Sequence, residues 1–258
     1  MVKLLALAAL LAAGCEASLA GDGGGSNNGN VDANNGGGNA DAPNTQIDAA
    51  PACANNRKVF LEFLGVTLTD AAASDAATNT ARWLNTTSSA VPMWRAGGAN
   101  RATQIQEVID GVKSRLSSTP IQVVTTRPAS GPYVMIVLGG ASGQGGTVGT
   151  IYSYSTSFHD CGDLTKSDVG WVSDMPGEST SFVANLAVGA IGWGLGLNGT
   201  LTATDCMCGW TTTCDSSATA CTLSASIASS IGVNSSETAC PNQNPQNAVA
   251  AYSTGFCN

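Results

Sequence analysis

The sequence predicts an α+β domain, close to α/β in character, with a mixed twisted sheet, two main helices and a cysteine-rich C-terminal subdomain. Three observations carry this expectation. Short runs rich in β-branched and aromatic residues recur over residues 59–173, two helical stretches stand among them, and six of the nine cysteines follow, from Cys206 to Cys257.

Taken in order, residues 59–64 (VFLEFL) read as a strand. Residues 101–116 read as an amphipathic helix, because Ile105, Val108, Ile109, Val112 and Leu116 fall on one face. Thr103 and Gln106 offer side chains that would help cap its start. Residues 121–126 and 133–138 are two further strands, with Pro128 and Pro132 bracketing the turn between them. A glycine-rich loop is expected at 139–149, then short strands at 148–154 and 169–173. The second helix is expected at 182–197, followed by cysteine-bearing loops with one more helix at 223–231. The loop GGASGQGGTVG lacks the Lys-Ser/Thr pair and the following helix of a phosphate-binding loop, so it reads as a surface connection.

Ahead of these elements the composition changes. Met1-Val2-Lys3, an apolar run from Leu4 to Leu11 and the small residues Ala12-Ala13-Gly14 have the layout of a secretory signal over residues 1–14. The run is too short to span a bilayer. With Cys15 the segment Ala12-Ala13-Gly14-Cys15 resembles a bacterial lipobox, although the family more often places Leu where Ala12 stands. The resemblance implies cleavage before Cys15 and its acylation, which would tether the protein to the cell envelope at the outer membrane or cell surface. An ordinary secretory signal with an incidental Cys is the alternative. Residues 15–51 are dominated by Gly, Asn, Asp and Ala and lack the apolar side chains that offset chain entropy, so they are expected to act as a disordered tether. Residues 52–258 remain for one globular domain.

Charge and cysteine content narrow the function. Ten Lys plus Arg against 18 Asp plus Glu give a net charge of −8, which argues against nucleic acid and leaves membrane contact to the anchor alone. Cys15 aside, Cys53, Cys161, Cys206, Cys208, Cys214, Cys221, Cys240 and Cys257 form an even set of eight in an exported chain. They imply up to four disulfides among roughly a hundred possible pairings. A zinc cluster of Cys206, Cys208, Cys214 and Cys221 is the alternative, disfavoured because an oxidising compartment closes neighbouring thiols into disulfides.

The stretch from Leu186 to Thr200 reads LAVGAIGWGLGLNGT and conflicts with its own helical pattern. Gly189, Gly192, Gly194 and Gly196 stand within it, and each interior Gly costs a helix about 1 kcal/mol relative to Ala. The order strand, helix, strands, helix and then Met207 in a tight cysteine-rich turn resembles the catalytic domain of metzincin zinc metalloproteases, whose motif is H-E-x-x-H-x-x-G-x-x-H followed by a Met-turn. On this alignment Gly196 matches the motif glycine, Gly192 the small residue before the second His, and Asp205-Cys206-Met207 the Met-turn. The chain departs from the family where the chemistry lies. Gly189, Trp193 and Gly199 replace the three His ligands, and Ala190 replaces the general base. Glycine offers no ligand atom, and the indole N–H has no lone pair for a metal.

The resemblance therefore implies a protease-shaped domain without zinc, base or cofactor, a pseudoprotease whose remaining role is to bind a peptide or surface polymer. Trp193 would then lie at the cleft floor, against a ligand or filling the vacated metal space. Two readings of the 182–197 segment stand beside this one, a helix simply buried in a core and a membrane-inserting segment, the latter weakened by its length and by Asn185. The single histidine, His159, lies beside Asp160, Cys161 and Asp163 and reads as a surface residue near a disulfide. The carboxylate pairs Glu62 with Asp174 and Asp163 with Asp168 read as solvated charges. A hydrolase working through some other site, and a purely structural envelope component, are the competing functions.

Overall fold

A computed structural model describes residues 57–141, 154–210, 219–228, 239–241 and 243–256. These lie in one compact unit, Asp48–Asn258. The signal, Cys15, the tether, Cys53, Cys214, Cys257 and most of the expected glycine-rich loop fall outside the described residues.

The elements run β1 (Lys58–Glu62), β2 (Val66–Thr69), β3 (Ser88–Val91), α1 (Arg101–Arg115), β4 (Gln122–Val124), β5 (Tyr133–Ala141), β6 (Ser155–Ser157), β7 (Val169–Asp174), α2 (Thr180–Gly194), a 3-10 turn (Cys206–Trp210) and α3 (Ala248–Gly255). The fold is α+β. Its five-stranded mixed sheet has the order β4-β1-β5-β7-β6. The first four strands are parallel and β6 runs antiparallel to β7 along the edge.

Alternation along the strands builds two cores. Val59, Leu61, Val134, Ile136, Leu138 and Val172 face one side and pack under α1 and α2, while Phe60, Tyr133, Met135, Val137, Val169 and Trp171 face the other. That second face is covered by Leu68, Ala76, Ala81, Trp83, Leu84 and Val91, which come from the β2–β3 hairpin and the chain between its strands. Burial on both faces is why β1, β5 and β7 are nearly continuous apolar runs. The helices approach closely because α1 carries Gly111, where a Cβ would stand 2.9 Å from the Cβ of Ala184.

Several local expectations are corrected. The hairpin β2–β3 was not expected, and β5 continues through Gly139 and Gly140 instead of giving way to a loop there. Gly139 has φ +145°, and a Cβ on it would collide with the carbonyl oxygen of Pro92. The strand expected at 148–154 lies, apart from Tyr154, outside the described residues, and the edge strand that is described is Ser155–Ser157. Asn100 precedes α1 without a side-chain cap, and Gln106 donates instead to Asp110 Oδ1 at 2.8 Å. The helix expected at 223–231 is not formed over 223–228, where the backbone of Ile227 pairs with that of Gln246 at 3.0 and 2.9 Å. The late helix is α3, started by Asn247, whose side chain accepts from the Ala250 N–H.

Candidate functional site

The site is built on α2. Ser179 caps its start, the hydroxyl accepting from the Phe182 N–H at 3.1 Å, and from Leu186 to Thr200 every residue is buried. The helix ends in a Schellman turn. Leu197 N–H donates to Gly192 O and Gly196 N–H to Trp193 O, both at 3.0 Å, with Gly196 at φ +78°.

Close contacts account for Gly192, Gly194 and Gly196. A Cβ on Gly192 would overlap Met207 Sδ and lie 2.6 Å from the Tyr252 hydroxyl, and one on Gly194 would lie 2.8 Å from Asp168 Oδ2. One on Gly196 would lie 2.7 Å from Asp160 O and 3.1 Å from Cys161 Cα. Met207, fully buried, therefore sits directly against α2, in a turn fixed by Asp205 Oδ1 accepting from the Met207 N–H at 2.8 Å. Beneath it Tyr252 donates to Val188 O at 2.5 Å. Burial, and then the nearby Asp205, hold that phenol well above its ordinary pKa.

Gly189, Ala190 and Trp193 lie along the helix, and Gly199 lies in the buried stretch after it. None offers a metal a donor atom in its side chain. Trp193 is only 4% exposed, and its ring is stacked on the His159 imidazole at 3.9 Å and 18° between planes. In this structure Trp193 therefore packs inside the protein and presents no surface to a ligand. His159 is half-buried, which corrects its reading as a surface residue. Asn198, which the sequence reading passed over, clamps the stretch to the C-terminal region. Its side chain donates to Cys240 O and accepts from Cys240 N–H, and Gln246 bonds both the N–H and the carbonyl of Asn198. The signal that could have found it is a buried-looking Asn in an apolar stretch, which needs partners.

Two disulfides pair Cys161 with Cys240 and Cys206 with Cys221, and Cys208 is disulfide-bonded as well. The zinc alternative at Cys206, Cys208, Cys214 and Cys221 is thereby excluded, since the thiolate is the zinc ligand and at least three of these sulfurs are already bonded. His159, Cys161 and Cys240 also converge, with ligand atoms within 4.8 Å of one another. Their two sulfurs are bonded to each other and are likewise spent as thiolates.

The carboxylate pairs differ from expectation. Glu62 is buried and accepts from the Leu64 N–H at 2.7 Å, while Asp174 takes the Arg95 N–H at 2.7 Å on the far side of β5. Asp163 and Asp168 do share a neighbourhood, and both are buried rather than solvated. Asp163 binds Arg57 at 3.0 Å and Lys166 at 2.8 Å, and the Arg57 guanidinium also lies 4.5 Å from the centre of the Phe256 ring. Asp168 is 1% exposed, and its Oδ1 has no hydrogen-bond partner. Burial, followed by the charge of Asp160, pushes its pKa up to about 8 despite Arg57. Neither of these two pairs is an accessible pair of carboxylates suited to hydrolysis.

No protein-family model matches the chain, and comparison with curated proteins finds no match. Among the described residues no helix is long and apolar enough to cross a membrane, and α2, read alternatively as a membrane-inserting segment, is a 15-residue helix in the core.

Proposed function

We propose that the protein is an exported, lipid-anchored envelope protein whose globular part is a metzincin-like domain without a zinc site, retained as a binding module for a peptide or surface polymer. The observation that carries this reading is the content of the motif positions. Gly189, Ala190, Trp193 and Gly199 supply neither ligand nor base, and the space over Trp193 is taken by His159. The element order and the packing of Met207 against Gly192 support the metzincin-like scaffold. Because Trp193 is covered, binding on this reading uses the domain surface and not the vacated metal position.

Elemental analysis of the purified oxidised protein should find no stoichiometric zinc, and denatured protein substrates should survive incubation with it. Restoring His, Glu, His and His at Gly189, Ala190, Trp193 and Gly199 should create zinc affinity, because positions i and i+4 share a helix face. Losing the buried Trp193 ring costs up to about 3–5 kcal/mol, so folding of the variant is checked by circular dichroism. Tight zinc in the unaltered protein would refute the pseudoprotease reading, and a folded variant indifferent to zinc would refute the alignment.

The anchor has its own test. Cells expressing the protein and fed a palmitate analogue should label it, and Cys15→Ser should abolish both the label and recovery with membranes. A mature protein that is soluble and begins after a later residue would remove the lipoprotein assignment.

A further inference from the structure

The strongest unassigned cluster is the one formed by His159 and the Cys161–Cys240 disulfide. The two cysteines differ in exposure: Cys161 is exposed and Cys240 is buried. The buried cysteine is the one His159 touches, with Nε2 3.0 Å from Cys240 Sγ. Stacking on Trp193 holds the imidazole plane in place, and Asn198 fixes the Cys240 backbone through both its N–H and its carbonyl. The other defined disulfide lacks this asymmetry, because Cys206 and Cys221 are both buried, at 2% and 7%.

We propose that Cys161–Cys240 is a redox-active disulfide, attacked by an external dithiol at Cys161, with His159 as the proton donor to the departing sulfur of Cys240. Exchange proceeds by attack of a thiolate on one sulfur, and it is faster the better the other sulfur leaves. The thiolate forms a new S–S bond to Cys161 Sγ, the Cys161–Cys240 bond breaks, and its electron pair goes to Cys240 Sγ. The proton on His159 Nε2 neutralises that sulfur and is regained from water. The second thiol of the same dithiol then displaces Cys161, so the dithiol is oxidised to its own disulfide and both cysteines end as thiols. Water can supply the proton at Cys161, which is exposed, whereas Cys240 leaves into a buried site and needs the imidazole. The inference goes beyond the proposed binding role and is independent of it, since zinc, proteolysis and the lipid anchor play no part.

The test exposes the intact folded protein to limiting dithiothreitol, quenches with N-ethylmaleimide at intervals, and maps the alkylated cysteines by mass spectrometry. Cys161 and Cys240 should label together and at least tenfold faster than Cys206 and Cys221, while near-ultraviolet circular dichroism stays native. His159→Phe keeps a ring on Trp193 but removes the donor. Its Cys161–Cys240 reduction should be at least tenfold slower, with a rate that falls more steeply than that of the wild type as pH is lowered, because only the wild type gains a donor proton. Labelling of both disulfides in step overturns the proposal, as does reduction of Cys161–Cys240 only when the near-ultraviolet signal is lost. A folded His159→Phe protein reduced at the wild-type rate, with the same pH profile, overturns the role of His159.

Discussion

Gly196→Ala should lower the unfolding free energy by about 2–5 kcal/mol, the combined cost of a left-handed backbone and a collision. Gly196 has φ +78°, which an alanine side chain strains, and the new Cβ would lie 2.7 Å from Asp160 O and 3.1 Å from Cys161 Cα. Both obstacles are backbone atoms of a segment held by the Cys161–Cys240 disulfide, so neither moves aside cheaply. Gly192→Ala is the informative comparison. Its backbone is helical, so alanine gains about 1 kcal/mol of helix propensity and loses through overlap with Met207 Sδ and the Tyr252 hydroxyl. Its net cost should be smaller and should fall further in a Met207→Ala background, whereas that of Gly196→Ala should not change there. Urea midpoints at unchanged slope measure these differences. A Gly196→Ala loss under about 1 kcal/mol would mean that the helix does not end in this turn.

These contacts show what a sequence reader can and cannot see at α2. The glycines are legible as a conflict, since they oppose the helical pattern of their own apolar neighbours. Their cause is not legible, because Asp160, Asp168, Met207 and Tyr252 are brought to them only by tertiary packing. The strands β1, β5 and β7 were legible because burial on both faces makes them apolar runs. The hairpin strands, VTLT and SSAV, were not, because they are short and bury one face only. The segment at 223–231 has helical composition, but Ile227 finds a backbone partner in Gln246, and that pairing overrides local propensity. That Gly189, Ala190, Trp193 and Gly199 carry neither a metal ligand nor a base was readable position by position. The cover over Trp193 was not, since nothing in the chain links His159 to it before folding.

Asp168→Asn should remove a pH-dependent loss of stability that the unaltered protein shows between about pH 4 and pH 8. The sign follows from where the proton resides. An unfolded aspartate titrates near pH 4, whereas in the folded protein burial beside Asp160 raises Asp168 to about 8. Between these values the folded state holds a proton that the unfolded chain has released, so rising pH favours unfolding. The contribution is complete below about pH 4, declines through the window, and is gone above pH 8. A shift of this size sets a ceiling of about 5–6 kcal/mol on the loss. The amide keeps the shape of the protonated acid and cannot ionise beside Asp160 and Asp163. Asp168→Asn should therefore lie within about 1 kcal/mol of the wild type at pH 4, where Asp168 is neutral in the folded protein and about half protonated in the unfolded chain, and should exceed it by a few kcal/mol at pH 9. Urea denaturation of both proteins from pH 4 to pH 9 decides the matter. Parallel stability curves would show that Asp168 is ionised throughout, and that the charges of Arg57 and Lys166 outweigh its burial.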